Sequence, residues 1–429
     1  MLKDRIRHLL STALLLLSVA QFSSAETTAT RILSDRIRTL QVQKNGDWEE
    51  LPVMRLNQDD FIRISFDEMS HRYRRLTYSI SHRMADWSES DLLESDFMDG
   101  FNDQPIEDFE NSVNTTFLYT HYTLDIPNDD VTLLVSGNYM VTIRDDEDGT
   151  ELARACFSVC EDGASISAVL SGNTDIDTNE RHQQMEIRLN YSGLPVIDPE
   201  REINVQVMQN RHPGTEVTDL KPTHLTQSGM EFTHSHKLIF PGGNEYRRFE
   251  IINMYDYLQH VDRVDFFDPY FHALLIQDTP RREYRYDQDH NGRYFIRYSR
   301  ADDSNVEADY LLVHFSMKAP HYSDGELYLD GDFTYGRLSD EFRMEYNERT
   351  GCYEKILPLK MGAYDYRYLF VPSTPQSALS SGAARSFETS RTEGDSYETS
   401  NEYEIMVWFR EPGSRYDRLV GASDVRMSE

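Results

Sequence analysis

The chain has 429 residues, 74 of them Asp or Glu against 43 Lys or Arg, for a formal charge of −31. An acidic surface of this size repels phosphate backbones, which argues against nucleic acid as a partner; it serves solubility and would suit a partner with a basic collar or lumen. Cys156, Cys160 and Cys352 are too few for a disulfide scaffold and odd in number, so core packing has to hold the fold.

In chain order, Lys3, Arg5 and Arg7 form a basic opening, an apolar run follows from Leu9 to Ala20, and Ser23-Ser24-Ala25 offers the small residues that a signal peptidase reads. Residues 1–25 are therefore expected to be a cleavable secretory signal. Its apolar run is shorter than the ~20 residues a helix needs to cross a bilayer. No cysteine lies beside the cleavage site to carry a lipid, and no later stretch is apolar enough to span. The expectation is an exported protein without a membrane span, its charge about −33 once the signal is removed.

From there the periodicity is mostly two. Ile62, Ile64 and Phe66 alternate, then Leu76, Tyr78 and Ile80, then Tyr122, Leu124 and Ile126, then Tyr139, Val141 and Ile143. The pattern resumes as Met185, Ile187, Leu189 and Tyr191, as Ile203, Val205 and Val207, as Leu311, Val313, Phe315 and Met317, and as Tyr403, Ile405, Val407 and Phe409. Turn signals separate these runs at Ser136-Gly137-Asn138, Glu161-Asp162-Gly163, Ser171-Gly172-Asn173, Pro241-Gly242-Gly243, Asn291-Gly292 and Asp330-Gly331. Many short strands so spaced predict an all-β chain of tandem β-sandwich domains, immunoglobulin-like or early-set-like. Between Ser88 and Met98, Leu92, Leu93 and Phe97 share a helical face, which predicts one short helix or ordered loop in the first domain. Polar passages at Glu161–Asn179 and Asp302–Asp309 suggest domains at 26–162, 163–305 and 306–429, with a long loop from Pro372 to Ser400.

Chemistry-bearing patterns are sparse. Asp287, Asp289 and Asn291 imitate the first half of a calcium loop, but the twelfth position is Tyr298 where a bidentate Glu is required, so a hairpin turn is expected. Cys156 and Cys160 sit in a strand end, about 13 Å apart if extended and beyond disulfide reach. His234 and His236 would share a face if Phe232–Phe240 were extended, but no further ligand is identifiable and a solvated strand face is expected. There is no GxSxG elbow, HExxH helix, Walker loop or GxGxxG fingerprint. No catalysis, cofactor, metal or small-molecule ligand is expected.

Between Tyr73 and Val159 the chain reads TYSISHRMADWSESDLLESDFMDGFN, IEDFENSVNTTFLYTHYTLDIPND, VSGNYMVTIRDD and ARACFSV. Later it reads GELYLDGDFTYGRLSDEFRMEYNERTGCYEKILPLKMGAYDYRYLF and EGDSYETSNEYEIMVWFREPGSRYDRLVG. In content and order these segments resemble the type IX secretion plug family of the Bacteroidota. One departure is Arg83, where that family more often carries cysteine. The resemblance implies a non-enzymatic periplasmic protein that seats against the outer-membrane translocon β-barrel and closes its periplasmic mouth when idle. The expected contact region is Asp86, Trp87, Phe97, Gly100 and Phe101, an aromatic excursion between strands, with Trp87 and Phe101 also candidates for core residues that pin the loop. The alternative is carbohydrate binding. Glu326–Phe370 resembles an early-set sandwich of glycogen-binding modules, with Tyr335 or Tyr364 as sugar platforms, although none of Trp48, Trp87 and Trp408 falls in that segment.

Overall fold

The computed structural model describes residues 30–255, 258–373 and 387–427. The expected signal at 1–25 and the part of the expected loop at 374–386 lie outside the described residues. The chain is mostly β, 48% strand and 5% helix, in several antiparallel sheets arranged as tandem β-sandwiches. All eight alternating runs form strands: Ile62–Glu68, Leu76–Arg83, Thr120–Ile126, Gly137–Asp145, His182–Asn190, Ile203–Gln209, Tyr310–Lys318 and Glu402–Phe409. The period-two residues of each run point inward, because successive side chains on a strand take opposite faces. Ile62, Ile64 and Phe66, for example, are fully buried.

Three hydrophobic cores result. In the first, one sheet runs Arg31–Ile32, Glu151–Cys160, Gly137–Asp145, Leu76–Arg83, Gln104–Pro105, with Val53–Arg55 pairing parallel to Glu151–Cys160. It packs on a sheet ordered Ile37–Lys44, Ile62–Glu68, Thr120–Ile126, Asp108–Asn111, with Phe66, Tyr122, Tyr139 and Phe157 among the residues between them. In the second core, Ser165–Ser171, His182–Asn190, Gly229–Phe232 and His224–Leu225 face a sheet of Ile203–Gln209, Glu402–Phe409 and Arg418–Arg426. The third sets Arg247–Ile251, Gly362–Pro372, Tyr294–Ile296 and Gly325–Asp330 against Val261–Phe267, Tyr270–Leu275, Tyr310–Lys318 and Cys352–Lys360.

Several local expectations are corrected. The division at 305/306 does not follow the pairing: Tyr270–Leu275 pairs parallel with Tyr310–Lys318 across it, and the last two strands close the second sandwich instead of the third. A polar passage ends a strand without ending a core, and Asp302–Asp309 holds a one-turn helix, Ser304–Glu307, whose Val306 is buried. Ser136-Gly137-Asn138 opens a strand in place of turning. The short helix or ordered loop expected within Ser88–Met98 is present, as a single turn, Glu94–Phe97. Phe232–Phe240 is not continuously extended, because His234 has φ +52° and His236–Leu238 is a 3-10 turn. Asn291 and Gly292 turn with φ of +55° and +93°, but no strand precedes them, so the segment is a loop and not a hairpin. Cys156, Cys160 and Cys352 are free and buried.

The cores are fastened to each other by buried polar groups. Between the first and third, Lys360 Nζ lies 2.6 Å from Asp67 Oδ2, and both residues are almost wholly buried. The Tyr310 hydroxyl donates to the same oxygen at 2.6 Å, and His121 Nδ1 lies 2.7 Å from the other. Lys360 also sits 4.1 Å from the centroid of the Tyr119 ring. Burial by itself would raise the Asp67 pKa, but the Lys360 charge and the His121 hydrogen bond hold it below the usual carboxylate value. Between the first and second cores, Arg418 grips Glu161 with two bonds of 2.8 and 2.7 Å, and Asp417 accepts from the Ala85 N–H. Between the second and third, Asp330 is shared by His212 at 3.0 Å and Arg367 at 2.8 Å, and Arg293 donates to Glu402 at 2.6 Å.

Asp67→Ala leaves a buried ammonium uncompensated and is expected to cost about 3–5 kcal/mol in urea unfolding, while Asp67→Leu combined with Lys360→Met should cost much less. Equal losses for the two variants would show that packing, and not charge, is what the site supplies.

Candidate functional site

The stretch from Met84 to Glu110 carries ten carboxylates and no Lys or Arg. It leaves the strand Leu76–Arg83 through a tight turn closed by the Trp87 N–H donating to the Met84 carbonyl, with Trp87 itself at φ +64°. Asp86 accepts from both the N–H and the hydroxyl of Ser88, which holds its carboxyl below the ordinary value. The helical turn Glu94–Phe97 is anchored by Asp96, which accepts from the Leu93 N–H at 3.0 Å and from Arg415 at 2.8 Å. Met98–Gly100 then pairs with Val131–Leu133. Gly100 has φ +124°, and a Cβ there would lie 2.1 Å from the Asp130 carbonyl oxygen, so no other residue fits this close approach. Asn102 fixes the exit, accepting from the Ile80 N–H and donating to the Ile80 carbonyl and to Glu94.

This bracing leaves two apolar side chains facing solvent, Leu93 at 68% and Phe101 at 77% exposure. Of the residues expected to make contact, Asp86 and Phe101 are on the surface, Gly100 shapes the backbone, Trp87 is half-buried, and Phe97 is 3% exposed. Phe97 belongs to the first core, with its ring 6.1 Å from that of Tyr139. Leu93 was missed by sequence reasoning because Leu92, Leu93 and Phe97 were placed on one helical face, and one helical turn is too short to bury all three.

A second feature had no signal in the sequence. Where the three cores meet lies a cavity of about 240 Å³, lined by Trp48 and Trp87 from the first, Arg211 from the second, and Arg293, Asp332 and Tyr335 from the third. Its walls are charged and crowded. Burial raises the Asp332 carboxyl despite Arg211 and Arg293, and behind the wall it pushes Glu404, which pairs with Arg211, up to about 7. The Tyr335 and Tyr294 hydroxyls both donate to the Leu40 carbonyl, at 3.0 and 3.2 Å. Tyr364 is buried in the third core, stacked on Phe249 and Tyr294, with its hydroxyl donating to the Lys360 carbonyl. Neither tyrosine of the sugar-binding alternative stands out as an open platform.

Asp289, from the calcium-like stretch, is turned inward. It accepts from the Tyr246 and Asn291 N–H groups, while Asp365 accepts from those of His290 and Gly292, so two carboxyls clasp one loop. Burial lifts Asp365 to about 7 and, together with the neighbouring Asp365 charge, lifts Asp289 well above the usual range. His234 lies 2.9 Å from Asp175 and does not pair with His236. Among the described residues, no group of three or more His, Cys, Asp or Glu side chains could hold a metal ion.

Fold and surface together define an all-β protein of three interlocked cores that exposes an acidic loop tipped by two apolar side chains. Residues 37–161 match the family model described as the type 9 secretion system plug protein 1st domain. The chain belongs to the type 9 secretion system plug protein family. It is also similar to a hypothetical protein from Parabacteroides merdae with a crystal structure, at 40% sequence identity and a TM-score of 0.89, over 94% of this chain and 100% of that one. No curated protein matches the chain. Family membership implies a cell-envelope location and association with the secretion translocon, and suggests a structural, non-catalytic role. No described helix is long and apolar enough to cross a membrane.

The raised carboxyls give a pH dependence with a definite sign. A carboxyl whose folded pKa lies above its unfolded value contributes stability below the unfolded pKa and loses it as pH rises through the folded one. For Asp365 that window runs from 3.8 to about 7. Relative to Asp365→Asn, the parent chain should therefore lose melting temperature across this window and hold a constant difference above it; a constant difference at all pH values would mean that Asp365 does not carry the proton.

Proposed function

We propose that this chain is the periplasmic plug of a type IX translocon: it binds the periplasmic opening of the outer-membrane barrel through the loop around Asp86, Leu93, Gly100 and Phe101, and seals the barrel when no cargo is passing. The observation that carries the reading is membership of the plug family combined with a braced loop that leaves Leu93 and Phe101 in water. An apolar pair costs solubility when bare and gains when covered, roughly 25 cal/mol for each Å² removed from water. Ten carboxylates around the pair favour a basic rim on the partner and disfavour acidic surfaces.

A seal needs a body that keeps its shape when pressed, and released binding needs no chemistry. Three cores fastened by buried ion pairs support the first requirement. An interface formed by a small apolar centre and an acidic surround supports the second, since cargo could compete for it. The role asks for no catalytic group, and the most perturbed carboxyls, Asp289 and Asp365, are occupied with holding a loop. The sugar-binding alternative gains nothing from the inward packing of Tyr364.

The test is affinity purification of the tagged protein from detergent-solubilised envelopes of its native host, followed by mass spectrometry. A very large outer-membrane barrel is expected in near-stoichiometric amount, and its absence would overturn the plug reading. Leu93→Asp with Phe101→Asp should reduce recovery of the barrel at least about tenfold, with the melting temperature unchanged because both side chains are already exposed. Full recovery with the double variant would leave the plug reading standing and remove this loop as the contact.

A further inference from the structure

The cavity where the three cores meet takes no part in the proposed interface, yet its walls hold polar groups that the chain itself leaves unanswered. Gln41 and Gln43 alternate on the strand Ile37–Lys44, and because Val42 between them packs on the first core, both amides take the opposite face and line the cavity. Among the described residues neither amide has a hydrogen-bond partner, nor have the indole N–H groups of Trp48 and Trp87 or the carboxyls of Asp332 and Glu216. The two guanidiniums of the wall are committed by contrast, Arg211 to the Glu49 carbonyl and Glu404, Arg293 to the His290 carbonyl and Glu402.

Indole surface is free as well. His290 and Phe295 lie 4.9 and 4.8 Å from Trp48, ring centre to ring centre, and 6.2 Å from each other. Rings on opposite faces of the indole would stand apart by nearly the sum of the first two distances, so one face of Trp48 is left to the cavity it lines. Trp87 has no aromatic neighbour among the described residues, and its φ of +64° is a backbone that glycine or asparagine takes far more readily than a bulky side chain. The turn would close more easily around a small residue, and it brings an indole to the cavity wall instead. Together these groups select a chemistry. A neutral sugar ring donates and accepts at each hydroxyl, which suits amides, indole N–H groups and unpaired carboxylates in one wall, and its C–H face packs on an aromatic one. An anion would meet Asp332 and Glu216, and a cation would meet Arg211 and Arg293. At about 240 Å³ the cavity falls below the roughly 300–1,000 Å³ of sites for drug-sized molecules, which favours a single ring.

We infer that the cavity between the three cores binds the pyranose ring of a neutral sugar, with the free face of Trp48 and the indole of Trp87 as its apolar walls and Gln41, Gln43 and Asp332 taking its hydroxyls. The site is distinct from the tyrosine platforms of the Glu326–Phe370 alternative: Tyr364 is outside it, and the Tyr335 hydroxyl in its wall is already given to the Leu40 carbonyl. It does not rest on the plug reading.

The experiment titrates the chain from residue 26 with glucose, galactose, mannose, fucose and N-acetylglucosamine, each as the free sugar and as the terminal ring of an immobilised oligosaccharide, and follows calorimetry and tryptophan emission. At least one of these pyranoses should bind at one site per chain and change the emission; Trp408 is buried in the seam cluster outside the cavity, so the change reports Trp48 and Trp87. Binding of the free sugar would mark a soluble ligand and binding of the immobilised form alone a glycan end, and either supports the site. Trp87→Asn keeps a residue suited to the turn, so it should weaken binding at least about tenfold without lowering the melting temperature. Gln41→Ala with Gln43→Ala removes amides that hold nothing in the chain, and should weaken binding as much on an unchanged fold. No binding of any of the five sugars in either form, or binding unaltered in both variants, would overturn the inference.

Discussion

The Asp67–Lys360 contact is the constraint on which the arrangement of the whole chain depends. An ammonium and a carboxylate with almost no access to water cannot be left alone, since desolvation costs several kcal/mol per ion even after relaxation. Each is therefore acceptable only if the first and third cores are pressed together in one orientation. Tyr310, His121, Tyr119 and the Asn305 carbonyl, which accepts from Lys360 at 2.6 Å, fill the remaining positions around the pair. Hydrophobic burial alone would let two sandwiches slide; a buried pair with several directed partners specifies the register. Nearby, Asp309 reaches across the same seam to the N–H groups of Thr116 and Phe117.

The same device recurs at the other two seams, with Arg418 on Glu161 and with Asp330 held between His212 and Arg367. Its recurrence explains how so acidic a chain stays compact. Much of the positive charge is spent inside, where one guanidinium answers one or two carboxylates: Arg247, for example, meets both Asp278 and Glu393. That network holds Asp278 down to about 2, burial notwithstanding, with His260 and Arg247 favouring the charged form. The excess carboxylates are left for the surface, and the 84–110 loop is their densest stretch without a basic residue. The acidity that first argues against nucleic acid thus acquires a place, around the two exposed apolar side chains that the proposed interface uses.

The closing of the second sandwich by the last two strands bears on function too. Glu402–Phe409 returns from the end of the third core to pair with Ile203–Gln209, Arg418–Arg426 pairs with Glu402–Phe409 in turn, and between these two strands Asp417 and Arg415 bind Ala85 and Asp96. The C-terminal hairpin therefore braces the acidic loop from beneath. Trp408 is buried in the small seam cluster with Val53, Ala85, Cys160 and Leu419, its indole N–H on Gln206. The acidic loop is thus carried by two cores at once.

Strand identity was legible because a period of two is a local property: Ile62-x-Ile64-x-Phe66 buries one face wherever the strand is placed, and all eight such runs formed strands with those faces inward. The acidic surplus and the ordered family segments were likewise written in consecutive residues. The short helix was legible too, but Leu92 and Leu93 look alike in sequence, and only the anchoring of Asp96 and Asn102 decides which of them faces water. What the tertiary structure alone determined is everything that rests on pairing between distant residues. Asp67 meets Lys360 across 293 positions, strand 402–409 joins strand 203–209, and His272 is set beside His314. A charged or aromatic residue at a strand position carries no mark of its partner, since the energy that selects the partner appears only when both lose water together.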